Sequence, residues 1–310
     1  MTRVSTAGLF NSAVLAINHA QDNLNKAGQQ ANSGKIADDL SGYASSAERI
    51  TAARTLQARV QSHLDNAKIL SSKLDLQDQT LTAVQSAAGD AKSAISSALA
   101  AGDGSSLMTA LQSSLSTAAT ALNTKYNGQY IYAGSQTSTA PVAASQLADL
   151  TAAGAIANIF KNDQNPTTNR IDDNTVVTTG QVASNVATPL MTALQQVEAY
   201  NQGPNGPITG QLTTAQTTFL QGVLASFTTA QTTATSAVVQ NGAVQKQVDN
   251  TTSLLGKQND SLTGTLSDLT DVNEAQAATQ LQLATYALQA SAQVYNSLKT
   301  SSLLNLLPTG

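Results

Sequence analysis

The C-terminal stretch Asp271–Leu307, DVNEAQAATQLQLATYALQASAQVYNSLKTSSLLNLL, repeats with a period of seven residues. One row consists of Ala277, Ala284, Ser291 and Leu298, and the interleaved row consists of Leu281, Leu288, Tyr295 and Ser302. Most of these positions are apolar, whereas Gln, Thr, Asn and Ala fill the positions between them. Such a narrow apolar row predicts a coiled-coil helix. Because the row is too thin to form a core by itself, the helix needs a partner.

The N-terminal segment has the same character. Its apolar row consists of Phe10, Ile17, Leu24 and Ala31, with Val14 beside it. Each end is a poor core alone but complements the other. We therefore expect the two ends to form helices that pair with each other, and then with further copies or with related subunits.

The chain between the two ends predicts two long helices. Apolar residues recur every seven positions from Ala53 to Ile95, which predicts one helix over residues 45–101, about 85 Å long. A second long helix is expected over residues 211–270, antiparallel to the first. Five of the six prolines lie between Pro141 and Pro207, and proline breaks helix interiors. The predicted fold is therefore mainly α, an elongated antiparallel coiled-coil bundle with a small inserted domain.

The inserted region shows strand signals. Asn127-Gly128 is a turn signal, and residues 129–132 alternate as a strand does. Further short β-like runs occur at residues 169–171 and 175–178. The resulting domain prediction is 1–42 (first helix and loop), 43–128 (ascending helices), 129–182 (β-containing insertion), 183–270 (descending helices) and 271–310 (last helix).

Composition argues against several functional classes. The net charge of −4 does not favour nucleic acid as a partner, and a chain without cysteine forms no disulfide or thiolate metal site. No apolar run approaches the 18 or so residues that span a bilayer, and the first residues do not resemble a Sec-type signal peptide. His19 and His63 have no second ligand one helical turn away, and no nucleophile elbow or phosphate loop is present. We expect no catalytic residue, no metal and no cofactor.

Several short motifs resemble one family. They are Arg3-Val4-Ser5-Thr6, Ser33-Gly34-Lys35, Asp38-Asp39 with Gly42, Asn127 to Ser135 (NGQYIYAGS), Leu288 to Gln293 (LQASAQ), and Ser302-Leu303-Leu304-Asn305. Together they resemble the flagellin superfamily, and within it the hook-associated proteins of the hook–filament junction, of the distal, alphaproteobacterial type. The similarity covers both ends and about two thirds of the chain. Only three residues separate Gly34 from Asp38, several fewer than in the usual flagellin loop.

The resemblance implies a structural role. The terminal helices would form the inner, axial layer of a flagellum, the long helices the next layer, and the insertion would face outward. The expected partners are further copies of the chain in a ring or helical layer, the proximal hook-associated protein, flagellin and an export chaperone. The chain would be extracellular, exported by the flagellar type III apparatus without a cleaved signal peptide, and would contact neither nucleic acid nor membrane.

The resemblance also assigns site residues. The expected axial assembly residues are Val4, Phe10, Val14, Ile17, Leu24, Leu281, Leu288, Tyr295, Leu298, Leu303, Leu304 and Leu307. Lys35, Asp38 and Asp39 are the expected loop contacts between subunits. Alternative roles for the two carboxylates are a bound cation or an ion pair with Lys35, and adjacent carboxylates in a loop are usually solvated or cap a helix.

Three alternative functions stay open on the sequence. The first is flagellin itself, the filament subunit, which would elongate indefinitely from seeds rather than form a limited layer. The second is a secreted coiled-coil translocator or adhesin, which would need a membrane-active or surface-binding patch. The third is an enzyme such as a peptidoglycan hydrolase, which would need paired carboxylates or a metal triad in the middle segment. The sequence shows neither a membrane-active or surface-binding patch nor such a group of carboxylates or metal ligands.

Overall fold

The structure is a computed structural model that describes residues 2–301, with side chains from residue 8 to residue 300. Within this range the helices α1 to α7 span Thr2–Ser33, Ala47–Ala101, Leu107–Leu122, Leu147–Ala152, Ala183–Gln202, Thr214–Thr270 and Glu274–Ser301. The strands β1 to β4 span Lys125–Tyr126, Gln129–Tyr130, Thr168–Arg170 and Val176–Thr178. Short 3₁₀ helices occupy Leu40–Ser46 and Ile156–Ile159. The prediction of a mainly α fold with long helices and a small β region is confirmed.

The described residues form two compact units. The first contains the described residues up to Val60 and those from Lys257 onward, and the second contains Gln61–Gly256. The first unit therefore holds α1, α7 and the adjoining ends of α2 and α6. The second unit holds the rest of those two long helices, α3 to α5 and both sheets.

The second unit has the larger hydrophobic core. Leu81 of α2, Leu111 of α3, Leu194 of α5 and Phe227 of α6 are completely buried in one cluster. The helices α2 and α6 run antiparallel, as predicted, and polar side chains cross between them. Asn241 of α6, for example, donates a hydrogen bond of 3.0 Å to the backbone oxygen of Leu74 on α2. The heptad rows thus become the contact surface between the long helices.

The inserted region consists of two hairpins and the short helix α4. The strands β1 and β2 are joined by the predicted Asn127-Gly128 turn, where both residues have positive φ angles. The predicted strand over residues 129–132 ends at Tyr130, because the next two residues turn into the core. Tyr132 is completely buried, and its hydroxyl donates to the backbone oxygen of Gln77 on α2. Burial raises the pKa of Tyr132 well above its usual value.

The second hairpin packs on the long helices. β3 and β4 pair antiparallel from Thr168 opposite Thr178 to Arg170 opposite Val176. Ile171 and Val177 of the hairpin segment are buried in a small cluster with Leu70 of α2. An ion-pair geometry also joins the hairpin to α2, since His63 Nε2 lies 3.3 Å from Asp173 Oδ1.

Candidate assembly surface

The two terminal helices pack against each other in antiparallel fashion. Where α1 ends, Val272 donates a backbone hydrogen bond of 2.9 Å to Gly34. Near the opposite end of the pair, the ring centroids of Phe10 and Tyr295 lie 4.9 Å apart. The prediction that the ends of the chain form a helix pair is therefore confirmed for the described residues.

The contact between α1 and α7 is a seam of alternating small and large residues. The small ones are buried alanines: Ala13, Ala20 and Ala27 on α1, and Ala277 and Ala284 on α7. The large ones are half-buried: Phe10, Ile17 and Leu24 on α1, and Leu281, Leu288, Tyr295 and Leu298 on α7. Small side chains let the two helix backbones approach closely, so that the larger side chains cover the sides of the seam.

Seven of the expected axial assembly residues thus lie in this seam, inside the chain. Of the remaining ones, Val14 is 38% exposed beside the seam. The side chain of Val4, together with Leu303, Leu304 and Leu307, lies outside the described residues. The apolar rows from which we inferred a partner are therefore covered by the other terminal helix of the same chain.

Another apolar surface stays exposed on the same helix pair, and it was not among the residues predicted from the sequence. On α7, Leu283 is 62% and Val294 56% exposed, and Ala287 and Ala290 lie between them on the same face. The spacing of four, three and four residues along this row is helical. The sequence therefore contains this second apolar row beside the heptad row that was used to predict the seam. We call Leu283, Ala287, Ala290 and Val294 the α7 flank.

The neighbouring face of α1 continues this surface. Asn23, Lys26 and Gln30 of α1 line a groove together with Leu283 and Ala287 of the α7 flank. At seven-residue spacing from Asn23, the same face of α1 carries Ala16 and then Leu9, which is 56% exposed. Tyr286, 67% exposed, is one helical turn from both Leu283 and Ala290 and lies at the edge of the α7 flank. Leu15, 57% exposed, lies on another face of α1. Polar and apolar side chains both line the groove, and with its continuation it forms a surface on which another helix can pack.

The helix pair contains few charges. Its 60 residues include only five Asp, Glu, Lys or Arg residues, namely Arg3, Asp22, Lys26, Glu274 and Lys299. Depletion of charge combined with exposed aliphatic side chains is typical of a surface that another protein covers.

The loop after α1 is held by contacts within the chain. Lys35 forms its ion pair with Asp271, beside the start of α7, rather than with Asp38 or Asp39. Asp39 accepts hydrogen bonds from the Ser41 hydroxyl (2.7 Å) and the Gly42 amide (3.0 Å), and these bonds lower its pKa. Asp38 is exposed. Lys35 and Asp39 therefore have partners within the chain, and the contact of Lys35, Asp38 and Asp39 with another subunit stays a prediction.

Two further properties concern other kinds of site. Among the described residues, no three His, Asp or Glu side chains come close enough together to hold a metal ion. No helix in that part of the chain is both long and apolar enough to cross a bilayer.

The fold has counterparts among solved structures. A putative flagellar hook-associated protein from Vibrio parahaemolyticus is similar with a TM-score of 0.59 at 13% identity, covering 75% of this chain and 99% of that one. The crystal structure of Bacillus cereus FlgL is similar with a TM-score of 0.53 at 16% identity, covering 71% and 99%. The chain shares its fold with flagellar hook-associated proteins. No family model matches the sequence, and no curated protein matches it.

Proposed function

We propose that this chain is a structural subunit of the bacterial flagellum that joins the hook to the flagellin filament. In this proposal α1 and α7 pack around the flagellar axis against further copies, the proximal hook-associated protein lies on one side and flagellin on the other. The chain reaches that place by type III export with a dedicated chaperone, and it performs no catalysis. The observation that carries the proposal is the exposed, apolar α7 flank. It lies on a helix pair that has few charges and whose own seam is already covered within the chain.

The flank provides the energy for assembly. Complete burial of a Leu or Val side chain contributes roughly 1.5–3 kcal/mol. Because Leu283, Val294 and Leu9 are each more than half exposed, a neighbouring helix that covers them gains about 1–2 kcal/mol from each. A gain of a few kcal/mol per copy is too small for a stable dimer. In a closed layer, however, every copy makes the same contact with its neighbours, so the gain is repeated at each interface.

The test of this surface uses matched lysine substitutions. Leu283→Lys and Val294→Lys change the flank, whereas Leu254→Lys and Val239→Lys change the same residue types at exposed positions of α6, 64% and 66% exposed. Each variant replaces the chromosomal copy, and swimming, filament number and the amount of exported chain are measured. We expect the flank variants to be exported but to leave cells without filaments, while the α6 variants swim normally. Normal filaments on cells with both flank variants would refute the assembly surface.

The position in the flagellum is tested by deleting the gene. Loss of a junction subunit leaves hooks in place while filament subunits escape into the medium. If the chain were instead flagellin, the deletion would leave hooks without any escaping subunit, and the purified chain would elongate from filament seeds. The resemblance of residues 127–135 and 302–305 to junction proteins favours the first outcome.

A further inference from the structure

The seam between α1 and α7 leaves the register of the two helices poorly specified. On α1 the buried alanines and the large residues each recur every seven positions, and on α7 the small residues Ala277, Ala284 and Ser291 and the large residues Leu281, Leu288 and Tyr295 also recur every seven positions. A shift by one heptad, about 10.5 Å along the helix, therefore brings the repeating rows of α1 opposite the same rows of α7 again, one repeat further along. Repeating seams of this kind need an additional feature to select one register.

The described structure contains such a feature at one end of the seam. The backbones of residues 34–36 and 270–272 form a short antiparallel bridge, in which Ile36 donates to Thr270 (2.8 Å) and Val272 donates to Gly34 (2.9 Å). Between these two bonds, the Lys35 ammonium contacts the Asp271 carboxylate. We call residues 34–36 and 270–272 the clasp.

Other side chains hold the clasp in place. The Asp271 carboxylate also accepts hydrogen bonds from Ser267 (2.6 Å) and from the Thr270 hydroxyl (2.7 Å). The Gln30 side chain donates to the Ile36 oxygen (2.9 Å), so that the last turn of α1 is tied to the clasp. The hydrogen bonds from Lys35, Ser267 and Thr270 hold the pKa of Asp271 far below its usual value, and the ion pair is therefore present at neutral pH.

We infer that the clasp selects the register of α1 on α7, with Lys35, Asp271 and the two backbone bonds as the positioning groups. The connections on either side explain why a selection is needed. Only residues 271–273 separate α6 from α7, which leaves α7 no room to move along α6. The connection from α1 to α2 is longer. Residues 34–39 precede the 3₁₀ helix Leu40–Ser46, and six extended residues span roughly 20 Å, which is enough to let α1 slide by one heptad when the clasp is open.

The register decides which side chains form the exposed groove. In the present register Leu283 lies beside Asn23, Lys26 and Ala27. If α1 slipped by one heptad away from the clasp, Leu283 would meet different residues of α1. The side chains seven positions later in α1 would then lie where Asn23, Lys26 and Ala27 lie now. The inference itself concerns the single chain, and its test does not depend on the proposed flagellar function.

Disulfide trapping measures the register directly, because the chain has no cysteine of its own. A side chain at Gly28 would contact Leu281, with 4.0 Å between its Cβ and the leucine methyl carbon. The pair Gly28→Cys with Leu281→Cys therefore reports the present register, and Gly28→Cys with Leu288→Cys reports the register shifted by one heptad. Both pairs are placed in the full-length chain, oxidised with glutathione disulfide, and quantified by mass spectrometry after proteolysis.

Two kinds of change open the clasp. Lys35→Met with Asp271→Asn removes the ion pair, and Val272→Pro removes the amide that donates to Gly34. Their controls are Asp38→Asn, a loop carboxylate outside the clasp, and Glu274→Pro, because proline is tolerated at the first position of a helix. The charge reversal Lys35→Asp with Asp271→Lys restores the pair with opposite polarity.

We expect the intact chain and both controls to form the in-register disulfide predominantly. Loss of the ion pair raises the ratio of shifted to in-register disulfide roughly two- to fivefold, and Val272→Pro raises it roughly two- to tenfold. The charge reversal returns the ratio towards that of the intact chain. An unchanged ratio in both clasp variants would overturn the inference. Loss of both disulfides together with the helical circular dichroism signal would overturn it too, since the clasp would then hold the helices together rather than choose between registers.

Discussion

A buried glutamine in α2 provides a quantitative test of the core. Gln77 occupies a row position between Leu70 and Val84, and none of its surface is exposed. Neither its side-chain nitrogen nor its side-chain oxygen has a hydrogen-bond partner among the described residues. Burial of an amide without a partner costs about 1–3 kcal/mol.

The substitution Gln77→Met removes this cost. Methionine keeps the unbranched stem and has a similar helix propensity. We expect the variant to be more stable by about 1–2 kcal/mol. For a unit of 150–250 residues, each kcal/mol raises the melting temperature by about 2–4 °C, so the melting temperature is expected to rise by roughly 2–8 °C.

The matched control is Gln85→Met, two turns further along α2. The Gln85 amide donates a hydrogen bond of 3.0 Å to the Thr235 hydroxyl, so its removal is expected to cost about 0.5–1.5 kcal/mol. Both variants are compared with the parent chain by urea unfolding followed by circular dichroism. If Gln77→Met were destabilised as much as the control, the Gln77 amide would be hydrogen-bonded in solution and the reasoning would be wrong.

Three further predictions concern other parts of the chain. Leu288→Ala, in the seam, should weaken the α1–α7 pair by about 1–2 kcal/mol, and Leu283→Ala, on the flank, by less than about 0.5 kcal/mol; amide exchange of α1 in the isolated chain measures both. Hydrogen bonds from the Ser135 hydroxyl and amide lower the pKa of Asp163 from 3.8 to about 2. Because the folded value is the lower one, this carboxylate stabilises the fold above about pH 4, and its contribution is lost as the pH falls towards 2. Calorimetry from pH 5 to 2 should therefore show a steeper loss of melting temperature for the parent than for Asp163→Asn. Gly134 has a φ angle of +66°, and a Cβ there would run into Asp163, so Gly134→Ala should cost about 1–3 kcal/mol in urea unfolding.

The heptad rows and the proline distribution predicted α2 and α6 to within a few residues, and a helix at each end of the chain, because helical periodicity is a local property of the chain. The turn at residues 127–128 was predictable for the same reason, since positive φ angles favour asparagine and glycine. The pairing of the two terminal helices was also predictable from the sequence. Each helix has only a narrow apolar row, and the similar row at the other end of the chain complements it.

Only the tertiary structure determined which groups meet across long separations in sequence. Lys35 with Asp271 and His63 with Asp173 are pairs of single residues, and a single residue has no period that would indicate its partner. The proposed assembly surface also depended on both the sequence and the tertiary structure. The sequence by itself identified the apolar seam, but the chain's own helices occupy that seam, and burial in three dimensions was needed to show that the exposed apolar face is the flank around Leu283 and Val294. Periodicity records which face of a helix is apolar, whereas the partner that covers this face depends on how the whole chain folds.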